Sequence, residues 1–331
     1  MEYKSIKGFT GWGQLGILTL FLGVGFILTF IIQVAIMYQI MPAGSGLAGM
    51  EKGMLDAMKD PSNVFALRLS QVLGTLSLLF IPAILYSLVT NGSNMFWVGF
   101  NRHLSALQVI IAFAIIFAAN IFAGPFADIS KAIVSNFPSL NALAKQLETA
   151  YNEQVLAISN LKSWGEYITA LFIMAFFPAM FEEVFFRGAV QNLLVKWWNK
   201  PLLAILITSI FFSLIHMSIY LFLSRIVLGF VLGLLYFKSK NIWVNIIAHF
   251  LNNAIAVTAL FYMSKNSSKV DISKLDPRID WWLGMAGLGA LIFLFRLFDR
   301  HSKENLAKVD LQESAYIGKE DPFRDFGTLK T

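Results

Sequence analysis

The sequence contains no cysteine among its 331 residues. Disulfide bonds, thiolate metal sites and a cysteine nucleophile are therefore excluded, whereas chemistry by Ser, His, Asp or Glu remains open. Charged residues are also scarce, at 14% of the chain against about 25% in an ordinary soluble domain. Internal repeats and low-complexity tracts are not evident, which weakens an assignment as a secondary transporter, because many transporters consist of repeated halves.

Apolar residues are correspondingly abundant, at 57% of the chain with a mean hydropathy of +0.65. A bilayer core of about 30 Å requires roughly 20 apolar residues per helix. By the hydropathy criterion we count about eight such runs: Leu15–Met37, Leu69–Val89, Leu107–Phe126, Tyr167–Phe181, Leu202–His216, Leu221–Phe237, Ile242–Tyr262 and Trp281–Phe298. The composition predicts an all-α, polytopic transmembrane helical bundle of about eight spans.

We expect a single membrane-embedded domain over residues 1–300 and a polar C-terminal tail over residues 301–331. Between spans three and four, apolar residues from Leu140 to Ile158 recur at helical spacing. They predict an amphipathic helix that lies either in the membrane interface or against neighbouring elements as a loop helix. Met41–Asn63 and Ser264–Asp280 are polar and contain Gly, Pro or Ser, which predicts loops.

The formal net charge is +6, and the basic residues concentrate in short connections and in the tail. Eight alternating spans would place one group of them on the same side: Lys4, Lys7, Arg102, Lys196, Lys200, Lys238, Lys240 and the tail from Arg296. The positive-inside rule assigns that side, with both termini, to the cytoplasm. The expected partner of these charges is the lipid bilayer, and we expect no nucleic acid.

Glu182, Glu183 and Arg187 follow the apolar run Tyr167–Phe181, where charged side chains are costly and indicate a functional site. Neighbouring residues on a helix point about 100° apart, so the two glutamates cannot both face one small cavity. Arg187 lies four residues after Glu183, the favourable spacing for an ion pair on one helical face. Glu182 remains as the freer acid, and apolar Phe186 four residues later favours its use as a general base.

Two of the four histidines, His216 and His249, also lie in apolar runs. Glu182 precedes the polar turn at Asn199 by 17 positions and His216 follows it by 17, so antiparallel helices would place both at similar depth. His249 follows a second basic turn from the same side, with Asn253 one helical turn further on. Three helices can therefore bring these side chains into one polar pocket.

This set of residues is suited to peptide hydrolysis. A glutamate and a histidine can activate water, while a second histidine with an asparagine can donate hydrogen bonds to an oxyanion. Glu182, His216 and His249 are also acceptable Zn ligands with an open water position. The residues leave the metal-dependent and the metal-independent mechanism equally open.

The motifs Glu182-Glu183-x-x-x-Arg187, Phe212-x-x-x-His216 and His249-x-x-x-Asn253 occur in this order on successive helices. They closely resemble the CAAX-prenyl-protease and bacteriocin-processing family, also called the Abi family. The resemblance covers roughly Tyr167–Ile255, and we assign residues 164–263 as the protease core.

The resemblance implies an all-helical intramembrane endopeptidase in which Glu182 and His216 activate water while His249 and Asn253 stabilise the oxyanion. Glu183, Arg187 and Phe212 would then support the site. Zn is an implied optional cofactor, because family members have been described both as metalloproteases and as glutamate proteases. The implied substrate is a membrane-associated protein or peptide, lipidated or not, and the expected location is a bacterial cytoplasmic membrane.

Two other classes of function use similar residues. Buried Glu, His and Arg side chains can form the path of an ion- or proton-coupled transporter, and a non-catalytic membrane immunity or binding protein would keep them for structure. The matched depth of the hairpin and the His-Asn pair favour hydrolysis. We interpret Arg225 as a residue that either snorkels or pairs at a helix start, Gly229 and Gly233 as a small-residue packing face, and Asn245 as an interhelical hydrogen-bonding residue.

Overall fold

A computed structural model of the chain describes residues 3–41, 50–159, 161–266 and 278–320. These residues form ten longer helices: α1 (Gly11–Ile40), α2 (Met50–Lys59), α3 (Pro61–Thr90), α4 (Ala106–Ser135), α5 (Pro138–Ile158), α6 (Trp164–Trp198), α7 (Pro201–Ile215), α8 (Phe222–Ser239), α9 (Ile242–Asn266) and α10 (Trp281–Glu320). Within the described ranges, 7 helices are long and apolar enough to cross a membrane, namely all except α2, α5 and α7. The predicted all-α polytopic bundle is confirmed.

Each of the eight predicted apolar runs lies in a helix, to within one residue at each end. α7 has 15 residues and rises about 22 Å, less than the hydrocarbon core of about 30 Å. α6 has 35 residues and continues beyond the apolar run that ends at Phe181, as far as the predicted turn at Asn199. The charged cluster around Glu182 therefore lies inside a helix rather than at its end.

α5 is the amphipathic helix expected between the third and fourth spans. Ala144 and Ile158 are buried, whereas Leu140 and Leu143 are exposed. The first predicted loop also contains a helix, α2. Residues 42–49 of that loop, and residues 267–277 of the second, lie outside the described residues.

α10 is a continuous helix of 40 residues and includes most of the region that we expected to be a surface tail. Glu313 pairs with Lys196 at 2.8 Å and with Lys240 at 3.2 Å, and Val309 is buried. These ion pairs and the buried valine attach the segment to the bundle, so the expectation of a surface tail is corrected for this part. Residues 321–331 lie outside the described residues.

The basic residues that we predicted on one side gather at one end of the bundle, here called the basic end. Lys240 pairs with Asp310 at 2.8 Å and Lys238 with Asp299 at 2.7 Å, both acids being on α10. The predicted turn residues Asn199 and Lys240 adopt left-handed backbone conformations, with φ of 51° and 49°. α6, α8 and α10 end here, whereas α7 and α9 begin here.

α8 packs closely against α7 through its two small residues, as predicted. A Cβ atom at Gly233 would lie 2.6 Å from Ile205 Cγ2, and one at Gly229 would lie 3.2 Å from Ser209 Cβ. Such short distances leave no space for a larger side chain. The glycines thereby set the separation between α8 and α7, whose C-terminal end is capped by His216.

Candidate active site

Glu182 and Glu183 end a short α-helical stretch of α6, Phe177–Glu183. π-helical segments flank this stretch on both sides, at Leu171–Phe176 and Val184–Gln191. Segments of this kind are rare and frequently occur at functional sites. We did not expect them from the sequence, because the apolar pattern of α6 does not distinguish a π turn from an α turn.

Glu183 is fully buried, and three side chains surround its carboxylate. Oε2 lies 3.2 Å from Arg187 Nε and accepts a hydrogen bond from Asn245 Nδ2 at 3.1 Å, while Oε1 accepts one from His249 Nδ1 at 2.9 Å. Arg187 Nη2 in turn donates to the carbonyl oxygen of Gly229 at 3.2 Å. The predicted ion pair between Glu183 and Arg187 is thus present, within a larger network.

Glu182 faces a different set of groups from Glu183, in agreement with the 100° offset between neighbouring helical residues. Its Oε2 lies 3.8 Å from His216 Nε2 and 3.9 Å from His249 Nε2. This oxygen is buried and has no hydrogen-bond partner among the described residues. The two distances are too long for direct hydrogen bonds, but they suit a small polar molecule such as water between the three atoms.

The hydrogen bonds of the two imidazoles determine which ring nitrogen carries a proton. His216 Nδ1 lies 2.7 Å from the carbonyl oxygen of Phe212, and His249 Nδ1 lies 2.9 Å from the Glu183 carboxylate. A carbonyl and a carboxylate can only accept, so each Nδ1 is the donor. In the neutral rings, both Nε2 atoms are therefore acceptors that face Glu182.

Phe212 lies between Arg187 and His216. Its ring centroid is 4.5 Å from that of His216, and the Arg187 guanidinium carbon lies 4.8 Å from the same ring. A cation over an aromatic face is attracted by the ring quadrupole. Phe212 therefore contacts both groups and, through its carbonyl oxygen, orients the His216 imidazole.

Glu182, His216 and His249 line a cavity of about 350 Å³. Along α9 the lining extends from His249 through Asn253 to Leu260, away from the basic end, and α5 contributes residues from Tyr151 to Ile158. Pro178, just before the glutamates, also lines the cavity. The structure thus brings Glu182, His216, His249 and Asn253 to one pocket, and α5 covers part of it.

The donor types at this site suit zinc, but their spacing does not. In a tetrahedral site with bonds of about 2.0–2.1 Å, the ligand atoms lie about 3.3 Å apart, whereas Glu182 Oε2 is 3.8 and 3.9 Å from the histidine nitrogens. Within the described part of the chain, no group of three or more His, Cys, Asp or Glu residues is arranged to hold a metal ion. The three groups as they stand do not fit a zinc ion.

Two residues near the site have larger roles than we expected from the sequence. Asn245 donates to Glu183 and also, at 2.8 Å, to the carbonyl oxygen of Leu232. Arg225 lines the cavity. The role of Asn245 could have been predicted from its spacing, because it lies four residues before His249 and hence on the same helical face.

Residues 164–255 match the sequence model of a protein family described as Type II CAAX prenyl endopeptidase Rce1-like. The matched region includes the two glutamates, both histidines of the pocket and Asn253. Comparisons with curated proteins and with solved structures found no match. The family match supports the resemblance seen in the motifs: residues 164–255 of this integral membrane protein are similar to the CAAX-prenyl-protease and bacteriocin-processing family of intramembrane CAAX-type proteases.

Proposed function

We propose that the protein is an intramembrane endopeptidase that hydrolyses a peptide bond of a membrane-associated protein or peptide. The observation that carries the proposal is the convergence of Glu182 Oε2 with Nε2 of His216 at 3.8 Å and Nε2 of His249 at 3.9 Å. Because ionisable groups among membrane helices are costly, such a cluster in a cavity indicates chemistry rather than packing.

In this proposal Glu182 and His216 activate the attacking water. A water molecule between Glu182 Oε2 and His216 Nε2 donates a hydrogen bond to each, so a proton can leave as its oxygen attacks the scissile carbonyl. Both side chains line the cavity. General acid–base catalysis of this kind typically contributes about 10²–10⁴-fold to the rate.

His249 and Asn253 stabilise the oxyanion that forms on the scissile carbonyl. Since His249 Nδ1 already donates to Glu183, Nε2 can donate to an oxyanion only when the ring is an imidazolium. The Glu183 carboxylate balances this positive charge, and Arg187 favours the charged form of Glu183. The side-chain amide of Asn253 supplies a neutral donor in the same cavity.

We propose this mechanism as metal-independent. The support is the spacing of the three groups, which is wider than a zinc ion requires and which accommodates a water molecule. The same spacing leaves each Nε2 free to exchange a proton with that water molecule. Proton transfer among Glu182, His216 and the substrate then accounts for the reaction without a further cofactor.

We also propose that the basic end faces the cytoplasm of a bacterial cell, together with both termini, because basic residues of short connections gather there. The cavity extends from His249 toward Leu260, away from that end. The substrate segment would then be bound from the non-cytoplasmic half of the membrane, whether or not it carries a lipid.

Single cysteines test this orientation on a cysteine-free background. Lys145 on α5 and Ser314 on α10 are both exposed and lie at opposite ends of the bundle. A membrane-impermeant maleimide should label Lys145→Cys in intact cells and Ser314→Cys only after the membrane is disrupted. The reverse pattern would contradict the proposed orientation but not the proposed hydrolysis.

The hydrolysis is tested with purified protein in nanodiscs and a library of membrane peptides and lipopeptides, with products identified by mass spectrometry. We expect cleavage by the wild type and none by Glu182→Gln, which keeps the shape of the side chain but cannot accept a proton. Glu304→Gln, at an exposed position of α10, is the matched control and should cleave like the wild type. Undiminished cleavage by Glu182→Gln would refute the assignment.

A further inference from the structure

Arg225 is the one Lys or Arg among the described residues that line the cavity. It lies in the first turn of α8, directly after the connection that follows His216. Its Nη1 donates to the carbonyl oxygen of His216 at 3.2 Å, and its guanidinium carbon lies 5.7 Å from the ring centroid of Tyr151 on α5. A permanent positive charge thus lies beside the water-activating pair.

None of the ion pairs formed by the described residues includes Arg225. Glu182, the acid of the same cavity, faces the two histidines, and Glu148 on α5 accepts a hydrogen bond from Ser218 at 3.2 Å. Arginine stays protonated in proteins and has five N–H donors. A cation without a carboxylate partner is costly in a membrane cavity, unless the ligand of the cavity supplies the anion.

We propose that Arg225 binds a carboxylate of the substrate close to the scissile bond. This inference rests on the proposed function and makes Arg225 a specificity-determining residue of the same site. A guanidinium matches the two oxygens of a carboxylate in a bidentate pair, and a chain terminus and an Asp or Glu side chain both present those oxygens.

The hydrogen bond to His216 sets how far the carboxylate lies from the reacting groups. Because Arg225 holds the backbone oxygen of His216, its guanidinium lies within about 10 Å of that imidazole, the length of about three extended residues. The recognised carboxylate is therefore expected within about three residues of the cleaved bond.

A purely structural role for Arg225 is the competing explanation. Arg225 could simply fix the end of α7 through the carbonyl oxygen of His216, which requires one N–H donor. Loss of that contact would weaken the cleavage of every peptide equally. A carboxylate site instead discriminates between charged and neutral peptides, so the test measures discrimination.

The test uses the peptide that the wild type cleaves best, in paired forms: C-terminal acid and amide, and each Asp or Glu replaced by Asn or Gln. One of these neutral forms should lose about 10- to 100-fold in kcat/KM, mainly through KM, as expected for a hydrogen-bonded charge pair. The form affected identifies the source of the carboxylate. No loss with any neutral form would overturn the proposal.

Variants of the arginine complete the experiment. Arg225→Gln should lower kcat/KM for the charged peptide by the same factor and abolish the preference, and Arg225→Lys should retain part of it. Arg278→Gln is the matched control, since Arg278 is 81% exposed and pairs with Asp128 at 3.3 Å. It should preserve the preference. Equal losses on charged and neutral peptides in Arg225→Gln would show a structural role.

A binding measurement separates this inference from the proposed hydrolysis. The peptide library is bound to Glu182→Gln protein, with and without the additional change Arg225→Gln, and bound peptides are quantified by mass spectrometry. Carboxylate-bearing peptides should bind about 10-fold more tightly when Arg225 is present. Equal binding would overturn the carboxylate site, whereas a binding preference without cleavage by the wild type would refute hydrolysis and support the site.

Discussion

Replacement of Glu183 by glutamine should strongly destabilise the folded protein. Glu183 is fully buried and faces three donors, Arg187 Nε at 3.2 Å, Asn245 Nδ2 at 3.1 Å and His249 Nδ1 at 2.9 Å. Glutamine keeps one acceptor oxygen, but its amide NH₂ group would point toward another donor. Removing one partner of a buried ion pair costs about 3–5 kcal/mol, because the other charge stays buried without compensation.

A second substitution distinguishes this explanation from simple loss of packing. In Glu183→Gln with Arg187→Met, both charges are absent, and buried ion pairs replaced by apolar side chains are often neutral or stabilising. The double variant should therefore be more stable than Glu183→Gln alone by at least about 1 kcal/mol, because it no longer holds a buried charge without compensation.

The free energy of unfolding can be followed by the fluorescence of the 8 tryptophans while SDS is titrated into mixed micelles. Glu304→Gln removes an acid with the same spacing to a cation, Lys308, at an exposed position, and should leave the unfolding curve unchanged. A double variant no more stable than Glu183→Gln, or a Glu183→Gln variant as stable as the control, would refute the reasoning.

Three further predictions concern other parts of the structure. His216→Gln should lower kcat by about 10²–10⁴-fold with little change in unfolding, because the imidazole is 26% exposed; steady-state kinetics with an unchanged kcat would contradict its role. Incubation with EDTA should leave peptide cleavage unaffected, and a loss of activity restored by Zn²⁺ would show that the groups close around a metal. Gly233→Ala should reduce the free energy of unfolding by about 1–3 kcal/mol, because the added Cβ atom would lie 2.6 Å from Ile205 Cγ2. Gly289→Ala is the control and should leave the free energy of unfolding unchanged, because its Cβ atom would have no neighbouring atom within 4 Å. Equal effects of the two substitutions would argue against close packing of α7 and α8.

The membrane helices were predictable from the sequence because lipid penalises unsatisfied backbone and polar side chains, so each span requires a long apolar run. The same criterion underestimated α6, since Glu182, Glu183 and Arg187 end the apolar run while the helix continues. It also missed the helical part of α10 beyond the membrane. That segment is held by ion pairs such as Lys240 with Asp310, which hydropathy does not register.

The position of Glu182 relative to His216 followed from equal sequence distances to the turn at Asn199, because helical rise converts residue counts into depth. The contact between Glu183 and His249 could not be predicted in the same way from residue counts. It depends on the rotation of α6 and α9 about their axes, and the π-helical segments of α6 alter that rotation without a signal in the residue pattern. Asn245 was therefore recognised as an interhelical donor but not assigned to Glu183.

The π-helical segment Val184–Gln191 makes the length of the chain a determinant of the site, alongside its side chains. Arg187 donates to the carbonyl oxygen of Gly229, and Gln191 donates to that of Gly233 at 2.9 Å. Deletion of one residue between Arg187 and Gln191 would rotate everything that follows by about 100°. Gln191 would then lose its hydrogen bond to the carbonyl oxygen of Gly233. α7 and α8, which flank His216, would no longer be held at the correct position relative to Glu182.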